Sequence, residues 1–234
     1  MATTGHTVKA FDEDLAELRA LVAEMGGLAE AAIDDAINAL IRRDLDGAAQ
    51  VVEDDRRIDE IEAELERRVL RLVALRAPLA DDLREVLAAL KISSVIERIG
   101  DYAKNIAKRV PLLQDSHGIG PMAILPAMAR AAAEMVHDAL DAYAARDVQA
   151  AIAVTQSDKA VDDLYNSLFR ALLTYMMENP SHIGASTHLL FIAKNLERIG
   201  DHATNVAEVI YFAATGEQMT ERPRGADVLA PAAG

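Results

Sequence analysis

Carboxylate pairs spaced four residues apart are the side chains of this sequence best suited to chemistry. Glu97 and Asp101 lie in the segment Glu-Arg-Ile-Gly-Asp, and the same five residues return 100 positions later with Glu197 and Asp201. On a helix, residues four apart share one face, with their Cβ atoms about 5–6 Å from each other. Such a pair offers the oxygen ligands that hard cations prefer.

A second set of acidic pairs precedes the first. Asp55 and Asp59 recur as Asp158 and Asp162 at an offset of 103 residues. Antiparallel helices would bring one pair of each set together, and the repulsion among four carboxylates would be relieved by a bound cation. The predicted metal ligands are therefore Asp55, Asp59, Glu97 and Asp101 in the first half, and Asp158, Asp162, Glu197 and Asp201 in the second.

The alternative for every one of these pairs is an ordinary solvated helix face. Arg98 and Arg198 adjoin the repeated segment, and Arg56 and Arg57 lie between the first two aspartates, so ion pairs could neutralise part of the charge. Recurrence in both halves favours the site, because folding alone gives no reason to preserve an outer face. Asn105 and Asn205 extend the same faces and are weaker candidates.

Composition excludes several classes of function. The 234 residues include no cysteine, so thiolate metal sites and cysteine nucleophiles are excluded. A formal net charge of −14 opposes direct binding of nucleic acid. We find no apolar run long enough to span a membrane and no signal peptide, so a cytoplasmic protein without direct membrane insertion is expected.

Apolar spacing predicts an all-α fold of six long helices in two tandem three-helix bundles related by internal duplication. The predicted helices cover residues 11–43, 48–76, 82–110, 122–145, 148–178 and 183–214. A polar segment rich in glycine and proline, residues 114–121, separates the halves. The expected domains are residues 8–115 and 121–216, followed by a disordered tail at 217–234.

We find no nucleophile, acid–base pair or phosphate loop, so the chain is predicted not to be an enzyme. Glu134-x-x-His137 matches half of a di-iron motif, which needs two such helices, so a solvent-facing His137 is expected. A carboxylate-bridged, ferritin-like metal oxidase and an inert helical scaffold remain as alternatives. Gly100 and Gly200 each cost a helix about 1 kcal/mol, and suggest close approach of a ligand or another helix.

The sequence resembles the PhoU family, the accessory regulators of phosphate-specific transport. The resemblance rests on the two Glu-Arg-Ile-Gly-Asp segments, on the Asp-x-x-x-Asp pairs of the preceding helices, and on the Leu-x-x-Tyr-Met-Met-Glu-Asn-Pro run at 172–180. It covers residues 8–216. It implies tandem three-helix bundles, often as a homodimer, without catalytic activity.

The resemblance also implies a function and partners. PhoU proteins are understood as negative regulators of phosphate uptake and of the phosphate-starvation response. They are thought to link the ATPase subunit of the phosphate ABC transporter to a membrane-bound sensor histidine kinase, which would place this chain at the inner face of the membrane through its partners. Metal ions have been seen on the family's carboxylate motifs; for this chain iron, zinc, magnesium, manganese and calcium all remain open.

Overall fold

The computed structural model describes residues 3–219 and consists of six long helices, with short connections inside each half and a longer one, residues 108–124, between the halves. The first three are α1 (Thr3–Arg42), α2 (Leu45–Arg76) and α3 (Asp81–Ala107), and the last three are α4 (Leu125–Ala145), α5 (Val148–Glu178) and α6 (Ile183–Thr215). Single 3₁₀ segments lie at Pro111–Leu113, Gly120–Ile124 and Pro180–His182. The predicted all-α architecture is confirmed.

Helix bounds differ from the predicted ones mainly near the ends. α1 begins at Thr3, so the expected irregular segment of residues 1–8 is helical from its third residue onward. α4 begins at Leu125, because the expected first turn is the 3₁₀ segment Gly120–Ile124. Of the expected tail, residues 217–219 are irregular, with 217 and 218 exposed and Met219 half-buried, whereas 220–234 lie outside the described residues.

Two aspartates that recur between the halves begin equivalent helices. The Asp44 carboxylate accepts a hydrogen bond from the Gly47 backbone amide at 2.9 Å, before α2. Asp147 accepts hydrogen bonds from Gln149 and Ala150 at 2.8 and 3.0 Å, before α5. A side-chain oxygen at this position satisfies amides that the first helical turn leaves free. Capping therefore explains why this part of the repeat was kept.

The two bundles share one hydrophobic core. α1, α2 and α3 pack against one another, as do α4, α5 and α6, and buried residues of both groups form a single continuous cluster. α3 and α6 pack against each other as extensively as helices within a bundle, and α1 contacts α4. Gly26 lets α1 approach Leu140 of α4 closely, within a helix that continues unbroken.

α3 and α6 run antiparallel along the seam between the bundles. Arg84 near the start of α3 donates to the carbonyl of Ala213 near the end of α6, while Arg109, just past α3, stacks 4.3 Å from the Phe191 ring centroid. Midway, Tyr102 meets its own repeat equivalent, His202, with ring centroids 5.2 Å apart. The halves are thus related by an approximate two-fold axis through this contact.

None of the helices within residues 3–219 is long and apolar enough to cross a membrane.

Candidate functional site

Each repeated segment lies where its helix packs closely against the preceding one. Gly100 faces α2, and a Cβ atom there would stand 2.8 Å from Ile58 Cδ1 and 3.3 Å from Asp55 Oδ1. Gly200 faces α5, where a Cβ would stand 3.4 Å from Asp158 Oδ1 and 3.5 Å from Val161 Cγ1. Helix packing therefore leaves little room for a side chain at Gly100, whereas a methyl group would fit at Gly200. In both halves the packing brings an aspartate against the repeated segment.

The first cluster occupies the groove between α2 and α3. Asp55 is buried, with 6% of its side chain exposed, and its Oδ2 accepts a hydrogen bond from Lys104 Nζ at 2.5 Å. The same ammonium forms an ion pair with Asp101. Burial alone would lower the pKa of Lys104, but hydrogen bonds from its ammonium to Asp101 and Asp55 raise the pKa above its ordinary value. Lys104 therefore remains charged at neutral pH.

The other acids of the first cluster hold protons more tightly than usual. Burial, followed by the charges of Asp101, Glu62 and Asp59, raises the pKa of Glu97 to about 7. Burial and then the charge of Asp55 raise the pKa of Asp59, although Lys104 opposes this shift. Carboxylates that crowd together in a partly desolvated groove disfavour each other's ionised forms. The cluster is therefore short of positive charge despite Lys104.

Glu62 is a fifth carboxylate of the first cluster. Its pKa is raised by burial and then by the charge of Glu66, while a hydrogen bond with Ser94 and the charge of Arg98 lower it. The equivalent position in the second half is Tyr165. The repeat comparison could not reveal Glu62, since only one half contains it.

The second cluster occupies the groove between α5 and α6. Asp158 is buried. Burial raises the pKa of Glu197, and the charges of Asp201 and Asp162 raise it further. Lys194 Nζ contacts Glu197 Oε1 at 2.7 Å and lowers this pKa in part. The second oxygen, Glu197 Oε2, is buried and has no hydrogen-bond partner among the described residues.

The structure brings together the residues predicted to converge, but the acids of the repeated segments, expected on outer faces, are less exposed than predicted. Glu97, Asp101, Asp162, Glu197 and Asp201 are half-buried and face grooves between helices, and Asp59 is exposed. Asp55 and Asp158 are almost fully buried. The cause is the packing of α2 on α3 and of α5 on α6 at the glycine of each segment. Asn105 is exposed and Asn205 half-buried.

A lysine forms an ion pair in each cluster: Lys104 with Asp55 and Asp101, and Lys194 with Glu197. Arg56 pairs with Glu53 at 2.7 Å, and Arg57 pairs with Glu24 at 2.7 Å on α1 and with Glu60, so neither neutralises Asp55. Lys104 and Lys194 escaped the sequence comparison because their repeat equivalents are Thr204 and Ser94. A search for positions at which the two halves differ in charge would have picked out both lysines, but not the acids that they contact.

The fit of the two clusters to a metal ion differs. Carboxylate oxygens suit hard cations, but within the described residues no group of three histidine, aspartate or glutamate side chains is arranged to hold one. In the first cluster the Lys104 ammonium lies between two of the predicted ligands. In the second, the buried Oε2 of Glu197 has no hydrogen-bond partner among the described residues and is therefore available to a cation.

The histidines of the described residues form no metal centre. His137 is 58% exposed and contacts Glu30 on α1 at 3.2 Å and Asp141 at 3.6 Å, so the expected solvent-facing position is confirmed. His182 hydrogen-bonds with the Tyr175 hydroxyl at 2.6 Å, whereas His202 packs against Tyr102 in the seam. Burial, then the charge of Arg98, lowers the pKa of His202.

Comparison with known proteins matches both halves of the chain. The family model of the PhoU domain matches residues 22–110 and 125–210. The phosphate-specific transport system accessory protein PhoU homolog of Zymomonas mobilis is 61% identical over 226 residues, covering 97% of this chain and 95% of that protein. The corresponding homolog of Caulobacter vibrioides is 51% identical, covering 97% and 99%.

Solved structures give the same result. The crystal structure of PhoU from Pseudomonas aeruginosa superposes with a TM-score of 0.84 at 37% identity, covering 88% of this chain and all of the other. The phosphate transport system regulatory protein PhoU from Streptococcus pneumoniae also superposes with a TM-score of 0.84, at 29% identity, covering 90% and 100%.

Proposed function

The chain belongs to the PhoU family of accessory proteins of phosphate-specific transport, a regulatory and non-catalytic family, and from this premise we propose that it is a negative regulator of phosphate uptake and of the phosphate-starvation response. It acts as an adaptor between the ATPase subunit of the phosphate ABC transporter and a sensor histidine kinase. The observation that carries the proposal is the family match in both halves, with relatives matched over nearly their whole length.

The proposed location and assembly follow from the same role. The chain works in the cytoplasm, at the inner face of the membrane through its partners, and forms a homodimer. Exposed apolar side chains support protein contacts: Leu75, Leu79 and Met177 have 66%, 79% and 79% of their surfaces exposed. Isolated exposed apolar residues are ordinary, but a regulator needs surfaces that partners can cover. Light scattering of the purified chain would measure its oligomeric state.

We further propose that the carboxylate clusters bind metal ions and that partner binding depends on them. The supporting features are the raised pKa values of Glu97 and Glu197 and the unpartnered oxygen of Glu197, which show carboxylates crowded without enough counter-charge. The metal-ligand prediction for all eight acids stays a prediction. Which ion binds is to be decided among iron, zinc, magnesium, manganese and calcium by metal analysis.

The test of the adaptor role is binding and signalling together. The purified chain should bind the transporter ATPase and the cytoplasmic part of the kinase, and should restore repression of a phosphate-starvation promoter in a strain lacking its PhoU protein. Asp201→Asn and Asp101→Asn should weaken one or both, whereas Glu208→Gln, at a half-buried position seven residues after Asp201 on α6, should not. Binding of neither partner by the native chain would refute the adaptor role. Unchanged binding in all variants would favour the inert scaffold.

The ferritin-like oxidase has less support. It needs inward-facing ligands with paired Glu-x-x-His motifs, and the single His137 of this kind is on the surface. The family to which the chain belongs is regulatory.

A further inference from the structure

The first cluster already contains a cation that belongs to the protein. The Lys104 ammonium lies between Asp55, at 2.5 Å, and Asp101, so that it bridges α2 and α3. Only 20% of the Lys104 side chain is exposed, and its aspartate partner is buried. This is the arrangement of a structural ion pair that holds two helices together, rather than of a mobile surface lysine.

The second cluster has no lysine at the equivalent position. The residue equivalent to Lys104 is Thr204, which is fully buried and donates its hydroxyl to the Gly200 carbonyl at 3.2 Å. The lysine that does serve this cluster, Lys194, reaches Glu197 from the preceding turn and is 43% exposed. Its ammonium therefore contacts the rim of the cluster, and the Glu197 oxygen beneath keeps no partner within the described residues.

We propose that Lys104 is the resident cation of the first cluster and excludes divalent metal ions from it. The ammonium contacts Asp55 Oδ2 and Asp101 Oδ1. A divalent ion bound by the same two carboxylates would lie within a few ångströms of this positive charge and would be repelled by it. Displacing Lys104 would leave its charge in a half-buried groove without partners, which is costly. This inference rests on the proposed metal-binding function and limits it: of the four predicted ligands of the first half, Asp55 and Asp101 are already paired with a cation of the protein itself.

Equilibrium dialysis of the full chain against Mn²⁺ tests the inference. The single variant Asp101→Asn should bind the same number of Mn²⁺ ions as the native chain. Lys104→Thr, which installs the residue found at the equivalent position, should bind one additional Mn²⁺ ion. That additional ion should be lost again in the Lys104→Thr, Asp101→Asn double variant. Lys104→Arg keeps the charge and is the matched control, with binding equal to that of the native chain.

Two results would overturn the inference. One is that the single variant Asp101→Asn binds one Mn²⁺ ion fewer than the native chain, which would place metal where Lys104 lies. The other is a folded Lys104→Thr chain, verified by circular dichroism, that binds no additional Mn²⁺. If Lys104→Thr folds only when Mn²⁺ is present, the metal has replaced the ammonium, as expected. The Asp201→Asn variant separately tests metal binding at the second cluster, so failure of that proposal is distinguishable.

Discussion

The two carboxylate clusters occupy equivalent grooves, yet they are neutralised in different ways. In the first, Lys104 reaches in from the turn after Asp101 and bridges two helices. In the second, Lys194 approaches from the turn before Glu197 and contacts one carboxylate at the rim. The acids themselves were kept in both halves, whereas their counter-charges were not. The shared constraint therefore acts on the acidic groove, and its neutralisation was left free to vary.

The largest difference in stability between the two clusters should appear when the lysine of each is removed. Lys104→Met leaves Asp55 buried without its ion pair, and we expect it to lower the free energy of unfolding by about 2–4 kcal/mol. Lys194→Met removes a contact that is nearly half exposed, and should cost less than about 1 kcal/mol. Urea unfolding of both variants in EDTA measures this. Equal losses would mean that the two clusters are neutralised alike and would break the comparison.

Helix packing beneath the clusters should also respond unequally. Gly100→Ala places a methyl group against the buried Ile58, and we expect a loss of about 1–2 kcal/mol in unfolding free energy. Gly200→Ala meets neighbours only at ordinary contact distances, so better helix propensity should leave it neutral or stabilised by up to about 1 kcal/mol. Thermal unfolding of the two alanine variants, each compared with the native chain, measures these changes. Stabilisation by both alanines would show that the first groove is as roomy as the second.

The smallest effect should appear in the dependence of stability on pH. A carboxyl group whose pKa is raised on folding binds more protons in the folded state, so stability falls as pH rises from its ordinary value to its raised one. For Glu97, with a pKa of about 7, this window runs from about pH 4.5 to 7. Glu97→Gln should reduce the fall measured by urea unfolding in EDTA. Glu197→Gln should reduce it less, since Lys194 opposes the shift. An identical profile in the native chain and Glu97→Gln would contradict this assignment.

Much of the fold could be predicted because helical periodicity and the repeat are local patterns. The bounds of α5 follow from spacing, and the approach of Asp59 to Asp101 follows from spacing together with antiparallel packing of successive helices. What spacing cannot give is distance between helices, and for that reason it does not predict how deeply Asp55 and Asp158 are buried. Their burial depends on which residues of the preceding helix pack against the glycine of the repeated segment, and those residues lie about forty positions earlier in the chain.

Site residues that differ between the halves were also out of reach. Glu62, Lys104 and Lys194 are each matched by a residue of another type, so a comparison that looks for sameness discards them. Their part in the clusters depends on side-chain reach across a groove, which only the assembled helices define. The eight repeated acids are therefore the predictable part of the site, and its electrostatic balance is not.

The meeting of Tyr102 with its own repeat equivalent has an evolutionary consequence. A contact between equivalent residues across an approximate two-fold axis is the pattern of an isologous homodimer. A gene encoding one bundle would yield a product whose exposed α3 face fits a second copy of itself, and joining two such genes would convert association into an intramolecular event. In a homodimer every substitution appears twice. After fusion each half could change alone, which is consistent with the lysines of the two clusters lying at different positions of the repeat.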